Sequence, residues 1–176
     1  ETYGQAGGLG AALGAGAGAV IGHQSGHALE GAAIGALVGG ITGLIAHDIK
    51  ARRARTREET IAAYNYQPAQ GEMLTFERAE VLPMTVRPGE TIEGSIQYAL
   101  LGVGGGVQVS EMRTLLRGDQ VLADLSTKNF NRTEGTWVSS QEFRLPGDIQ
   151  PGHYTLVTSV RTAQSAISGR ASFTVQ

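Results

Sequence analysis

Glycine recurs at every fourth residue in two runs, Gly10, Gly14, Gly18 and Gly22, then Gly31, Gly35, Gly39 and Gly43. A spacing of four places all members of a run on one face of a helix. The segment Gly22-His23-Gln24-Ser25-Gly26-His27 between the runs reads as a turn. Around the glycines, residues 5–22 and 28–46 are apolar, carrying Leu9, Leu13, Val20, Ile21, Ile34, Leu37, Val38, Ile41, Leu44 and Ile45. As helices these stretches would each measure roughly 25–30 Å, which matches a hydrocarbon core of about 30 Å. In water a glycine inside a helix costs about 1 kcal/mol relative to alanine. In lipid it lets two backbones approach closely and gain packing energy. The ladders therefore predict a transmembrane helical hairpin over residues 1–49. A period of four also excludes a collagen-like repeat, whose period is three.

Small residues occupy a second face as well: Gly8, Ala12 and Gly16 in the first run, Ala28, Ala32, Ala36 and Gly40 in the second. Within a lone hairpin each helix uses only one small face, so the surplus predicts a homo-oligomer, each hairpin packed between copies of itself. In such an assembly His27, Glu30 and His47 are expected at a lumen or at the polar faces of the membrane.

Composition changes abruptly at residue 50. Residues 1–49 contain no Lys or Arg, and Lys50, Arg52, Arg53, Arg55 and Arg57 then arrive together. Ala51, Ala54, Ile61, Ala62 and Ala63 allow a helix to continue until Pro68, so residues 50–69 read as a basic helical junction. At a membrane exit Lys50, Arg52, Arg53 and Arg55 would reach lipid phosphates; alternatively they would act as a topogenic signal. The cluster is short and lacks interleaved aromatics, which argues against nucleic acid, as does the net charge of −2.

Residues 70–176 alternate in short segments punctuated by Arg87-Pro88-Gly89-Glu90, Leu116-Arg117-Gly118-Asp119, Leu145-Pro146-Gly147-Asp148 and Gln150-Pro151-Gly152. Strands are expected over 74–81, 91–98, 107–117, 120–127, 135–143, 152–161 and 170–175, a seven-stranded antiparallel β-sandwich. Trp137 is expected to pack between sheets, Gly102-Val103-Gly104-Gly105-Gly106 to form a hairpin loop, and Arg117-Gly118-Asp119 a tight turn.

The chain has no Cys, which removes disulfides, thiolate nucleophiles and Cys-based metal sites. His23 and His27 are four apart but lack a ligand-rich neighbourhood and read as turn residues. No Ser–His–Asp order, paired catalytic carboxylates or phosphate loop stands out, so an enzyme, a cofactor and a metal are not expected. No basic leader region precedes Glu1, so any signal peptide would already be cleaved.

Gly14-x3-Gly18-x3-Gly22, the His-Gln-Ser-Gly turn at 23–26 and Gly31-x3-Gly35-x3-Gly39-x3-Gly43 together resemble the glycine-zipper two-transmembrane families, of the 17-kDa surface-antigen and YMGG-like types, over residues 4–49. The resemblance implies a bacterial cell-envelope location, oligomeric membrane association and no enzymatic activity; the families' usual lipidated Cys does not occur in this sequence. Pro151-Gly152-His153-Tyr154-Thr155-Leu156 resembles the start of a late strand in immunoglobulin-like and fibronectin-III-like bacterial domains. The combined expectation is an α + β multi-domain protein of the outer membrane, with its sandwich in the periplasm or at the cell surface. Its helices would form a pore- or ring-like homo-oligomer or, alternatively, a non-conducting anchor that displays the sandwich. Its partners would be itself, membrane lipids and another envelope protein bound through the sandwich.

Overall fold

The computed structural model describes residues 33–34 and 41–176. Among these residues ten strands form two sheets. They are β1 (Ala33–Ile34), β2 (Leu44–Arg55), β3 (Met73–Leu82), β4 (Thr85–Val86), β5 (Thr91–Leu101), β6 (Val107–Arg117), β7 (Gln120–Arg132), β8 (Gly135–Arg144), β9 (Gly152–Arg161) and β10 (Ala166–Val175). The first sheet runs β1-β2-β8-β5-β3 and the second β4-β10-β9-β6-β7. Every pairing is antiparallel except β4 with β10.

This overturns the expected helical hairpin joined to a seven-stranded sandwich. The described part is mostly β, and no helix among the described residues is long and apolar enough to cross a membrane. Gly43 has φ +83°, outside the right-handed helical region. Immediately after it, the stretch read as helix end and helical junction becomes the twelve-residue strand β2. Ala and Arg favour helices intrinsically, but tertiary pairing decides: β2 is laddered to β8 from Ile45↔Arg144 to Arg55↔Thr136. Its first residues also pair with β1, as Ala33↔Ile45 and Ile34↔Leu44. Among the described residues the α-helix is α1 (Arg57–Tyr64), opened by a Thr56/Glu59 capping box and closed by Asn65 in the left-handed conformation; a short 3-10 turn follows at Pro68–Gln70.

The seven segments expected as strands are β3 and β5–β10, and 107–117 and 152–161 have the expected bounds. Residues 102–106 do not close a hairpin; they carry the chain from β5 in the first sheet to β6 in the second. Gly118 turns β6 directly into β7 at φ +61°.

Between the sheets lie two apolar clusters. The larger gathers Leu44, Val81, Ile92, Leu115, Leu125, Phe143, Leu156 and Phe173 with their neighbours. The smaller holds Ile96, Tyr98, Leu100, Val109 and Val160, with Trp137 packed against it. Along the inward face of β6 the order is Val109, Glu111, Arg113, Leu115, so two charged residues stand between an apolar residue of each cluster. Both are fully buried.

Candidate functional site

The basic strand β2 and the carboxylates around it make up the most heavily charged part of the described chain. Arg55 donates to both oxygens of Glu77 at 3.1 and 2.9 Å. Glu77 also accepts from Gln97 Nε2 at 2.7 Å and from the Tyr64 hydroxyl. Burial alone would raise the Glu77 carboxyl, but the Tyr64, Gln97 and Arg55 donors outweigh it and hold the group below its ordinary range. Tyr64 is pushed up to about 12 by burial and by its bond to Glu77. Arg57 donates to Glu134 at 2.6 Å, while the other Glu134 oxygen accepts the backbone N–H groups of Gly102 and Val103 at 2.6 and 2.9 Å. One carboxylate thus ties the start of α1 to the glycine-rich crossover. These contacts seat α1 on the first sheet, where Thr60 meets Thr136 at 2.9 Å.

Arg53 leads inward. Its guanidinium lies 4.8 Å from the Trp137 ring centroid and donates to Thr133. Arg132 lies 5.0 Å from the same ring and 4.3 Å from that of Phe130. Arg132 then donates to Tyr98 Oη and Glu111 Oε2, both at 3.2 Å. Glu111 accepts four side-chain donors: Tyr98 Oη and Ser139 Oγ at 2.6 Å, Arg113 Nη1 and Arg132 Nη2 at 3.2 Å. Desolvation pushes its carboxyl up, but Arg113, Ser139, Tyr98 and Arg132 together hold it below the ordinary range. Tyr98 is raised, first by burial and then by the Glu111 charge. The chain of contacts runs from an exposed arginine through an aromatic ring to a buried ion cluster. Both oxygens of Glu111 are engaged, which fixes the cluster rigidly between the sheets.

Of the residues singled out from sequence, Gly10, Gly14, Gly18, Gly22, Gly31, Gly35, Gly39, His27 and Glu30 lie outside the described residues. Gly43 opens β2. His47 is exposed beside Asp48, and its carbonyl accepts from Gln141 Nε2 at 2.6 Å. Arg53 and Arg55 are held by side chains of the sandwich, whereas Lys50 and Arg52 are exposed and in no ion pair among the described residues. Sequence reading missed Glu77, Glu111, Glu134 and Arg132, whose partners lie far away in the chain. The Thr56-x-x-Glu59 capping box, which the reading of residues 50–69 as one continuous helix passed over, marks the helix start.

Two shallow clefts accompany this arrangement. One of about 300 Å³ is lined by Ile41, Arg117, Leu122, Asp148 and Tyr154 among others. A second of about 240 Å³ is lined by His47, Asp48, Lys50, Glu93, Ser140 and Glu142. No group of three potential metal ligands occurs among the described residues.

A different carboxylate is poorly satisfied. Asp124 on β7 is fully buried; Oδ1 accepts from Thr114 Oγ1 at 3.0 Å and Oδ2 has no hydrogen-bond partner among the described residues. Burial raises its carboxyl above the usual range. An acid raised on folding favours the fold below its unfolded pKa of about 3.9, and that contribution is lost as pH rises through the folded value. Asp124→Asn is therefore expected to raise the urea midpoint at pH 7, with the gain shrinking toward zero as pH falls to about 4. A gain independent of pH would refute the assignment.

Comparison with known proteins adds an observation on the N-terminal part of the chain. Residues 9–50 match the family model described as Glycine zipper, of the Omp type. The match points to the bacterial outer membrane or envelope. It ends inside β2, so Leu44–Lys50 belong at once to the zipper match and to the sheet. No curated protein matches the chain. Among solved structures, an alkylpurine DNA glycosylase of Pseudomonas fluorescens is 15% identical over 68% of this chain and 37% of its own, with a TM-score of 0.47. A β-glucosidase of Erythrobacter marinus is 10% identical over 60% of this chain and 16% of its own, at 0.44. A CARDB domain from Pyrococcus furiosus is 16% identical over 60% and 94%, also at 0.44. The chain thus spans 37% and 16% of the length of these two enzymes, and nothing about activity follows from likenesses of this size.

Proposed function

We propose that this protein is a non-enzymatic envelope anchor, whose glycine-zipper segment associates with the outer membrane and with copies of itself and presents the two-sheet sandwich as a rigid module. The observation that supports this reading most is the overlap at Leu44–Lys50: the zipper match passes into β2 without a linker. A module joined in this way keeps a set orientation to its anchor, as a displayed or scaffolding domain requires. The engaged carboxylates Glu77, Glu111 and Glu134 support the same reading, because they spend their charge on fixing α1, the crossover and the core. Lys50 and Arg52 remain for lipid phosphates or an acidic partner. Other envelope proteins would be bound through the sandwich.

The reading is tested by substituting Gly35→Leu together with Gly39→Leu in the full chain. Oligomers in detergent are expected to dissociate while Trp137 fluorescence reports an unchanged sandwich. Oligomers that persist would place self-association elsewhere. Discrete conductance in planar bilayers, altered by Glu30→Gln, would replace the anchor with a pore.

A further inference from the structure

Among the described residues the large hydrophobic side chains left most open to solvent are Met84 at 66%, Leu82 at 50% and Phe76 at 39%. Two of the three belong to one exposed tip, Leu82-Pro83-Met84, where the chain leaves β3 in the first sheet for β4 in the second. The register fixes which end of the sandwich this is. Leu82 stands opposite Glu93 on β5, two residues from Thr91; Thr91 stands opposite Arg144 on β8, and Arg144 opposite Ile45 on β2. The tip therefore lies at the end of the sheet where the glycine-zipper segment joins, displaced from β2 by three strand spacings, about 14 Å.

We propose that the Leu82-Pro83-Met84 tip is a second membrane contact, seated in the boundary between headgroups and acyl chains on the side where the zipper segment joins; the inference rests on the membrane reading above. Three features favour lipid over a protein partner. The tip is a short convex point of three residues, far smaller than the roughly 1,000 Å² that a stable protein interface buries. A fluid apolar boundary needs no complementary shape, so a few inserted side chains suffice there. Leu82, Pro83 and Met84 themselves carry no charge, so apolar insertion rather than attraction to an anionic surface decides. A two-point contact would also reinforce the orientation of the sandwich on the membrane.

The chain has no Cys, so single labels are clean. Full-length protein carrying Met84→Cys with an environment-sensitive fluorophore would be reconstituted into phosphatidylethanolamine/phosphatidylglycerol vesicles. The comparison site is Gln108→Cys, exposed at the opposite end of β6 from Arg117. The label at 84 is expected to shift to the blue and to be quenched by nitroxide carried on lipid chains. The label at 108 is expected to keep its aqueous emission and to be quenched by iodide. An aqueous spectrum at 84 on vesicle-bound protein would overturn the tip contact while leaving the anchor reading intact. A blue shift without lipid-borne quenching would mean that a second copy covers the tip, which also overturns it. Protein that fails to float with the vesicles would overturn both readings.

Discussion

Glu111→Gln is expected to destabilise the sandwich by roughly 3–5 kcal/mol, the cost of leaving buried charge without its counter-ion. The side chain keeps its shape, but an amide NH2 cannot accept, so two of the four donors lose their acceptor together with the counter-charge. Two guanidinium groups, Arg113 and Arg132, share this one carboxylate, and Arg113 is fully buried. Urea unfolding of the full chain, followed through Trp137, the sole tryptophan, measures the effect. Two further readouts separate it from an ordinary packing defect. The cost is expected to vary little with salt, because buried pairs are screened much less than exposed ones. It is also expected to shrink on acidification. Glu111 titrates below its ordinary value when folded, so its contribution is present above the unfolded pKa of about 4.3 and is lost as pH falls through the lower folded value. A loss under about 1 kcal/mol at pH 7 would contradict the buried-pair account.

The second large effect concerns the crossover between sheets. Gly102 has φ +77°, and a Cβ placed there would lie 2.2 Å from the Gly71 carbonyl oxygen and 2.5 Å from Tyr66 Oη. The same carbonyl accepts the Tyr66 hydroxyl at 2.7 Å, and the Gly102 N–H is held by Glu134. Gly102→Ala therefore combines a left-handed backbone cost of about 1–2 kcal/mol with an overpacking cost of about 1–3 kcal/mol. The sum is expected near 3 kcal/mol in the same unfolding assay. Gly89→Ala supplies the control, since its φ is +86° but its nearest contact is Gly147 Cα at 3.9 Å. It should show the backbone cost alone, about 1–2 kcal/mol. Equal losses at the two positions would show that the crossover relaxes freely.

The β half of the molecule was legible because alternation and turn residues agree there. His153 to Val160 alternates after the Pro151-Gly152 turn, and β9 has the expected bounds. Residues 44–55 were misread because their pattern fits both periods. Leu44, Ile45 and Ile49 continue the apolar run of the glycine ladder, and Lys50-Ala51-Arg52-Arg53-Ala54-Arg55 is rich in helix formers. Register shifts between Ala46 and Ile49 and between Arg53 and Arg55 break the two-residue repeat that would have marked a strand. The charged layer was invisible for another reason. Glu111 and Arg113 look like ordinary alternating polar residues, and only the fold brings Tyr98, Arg132 and Ser139 to them. The pairing Arg55–Glu77 likewise depends on α1 folding back over the first sheet.

The passage from Gly43 straight into Leu44–Arg55 has a mechanical consequence. Tension applied to the chain at Gly43 would act along the axis of this strand, while the ladder bonds to β8 run across it. Load therefore falls on many bonds in shear at once instead of peeling them in sequence, and the rungs up to Arg55 resist together when the surface moves.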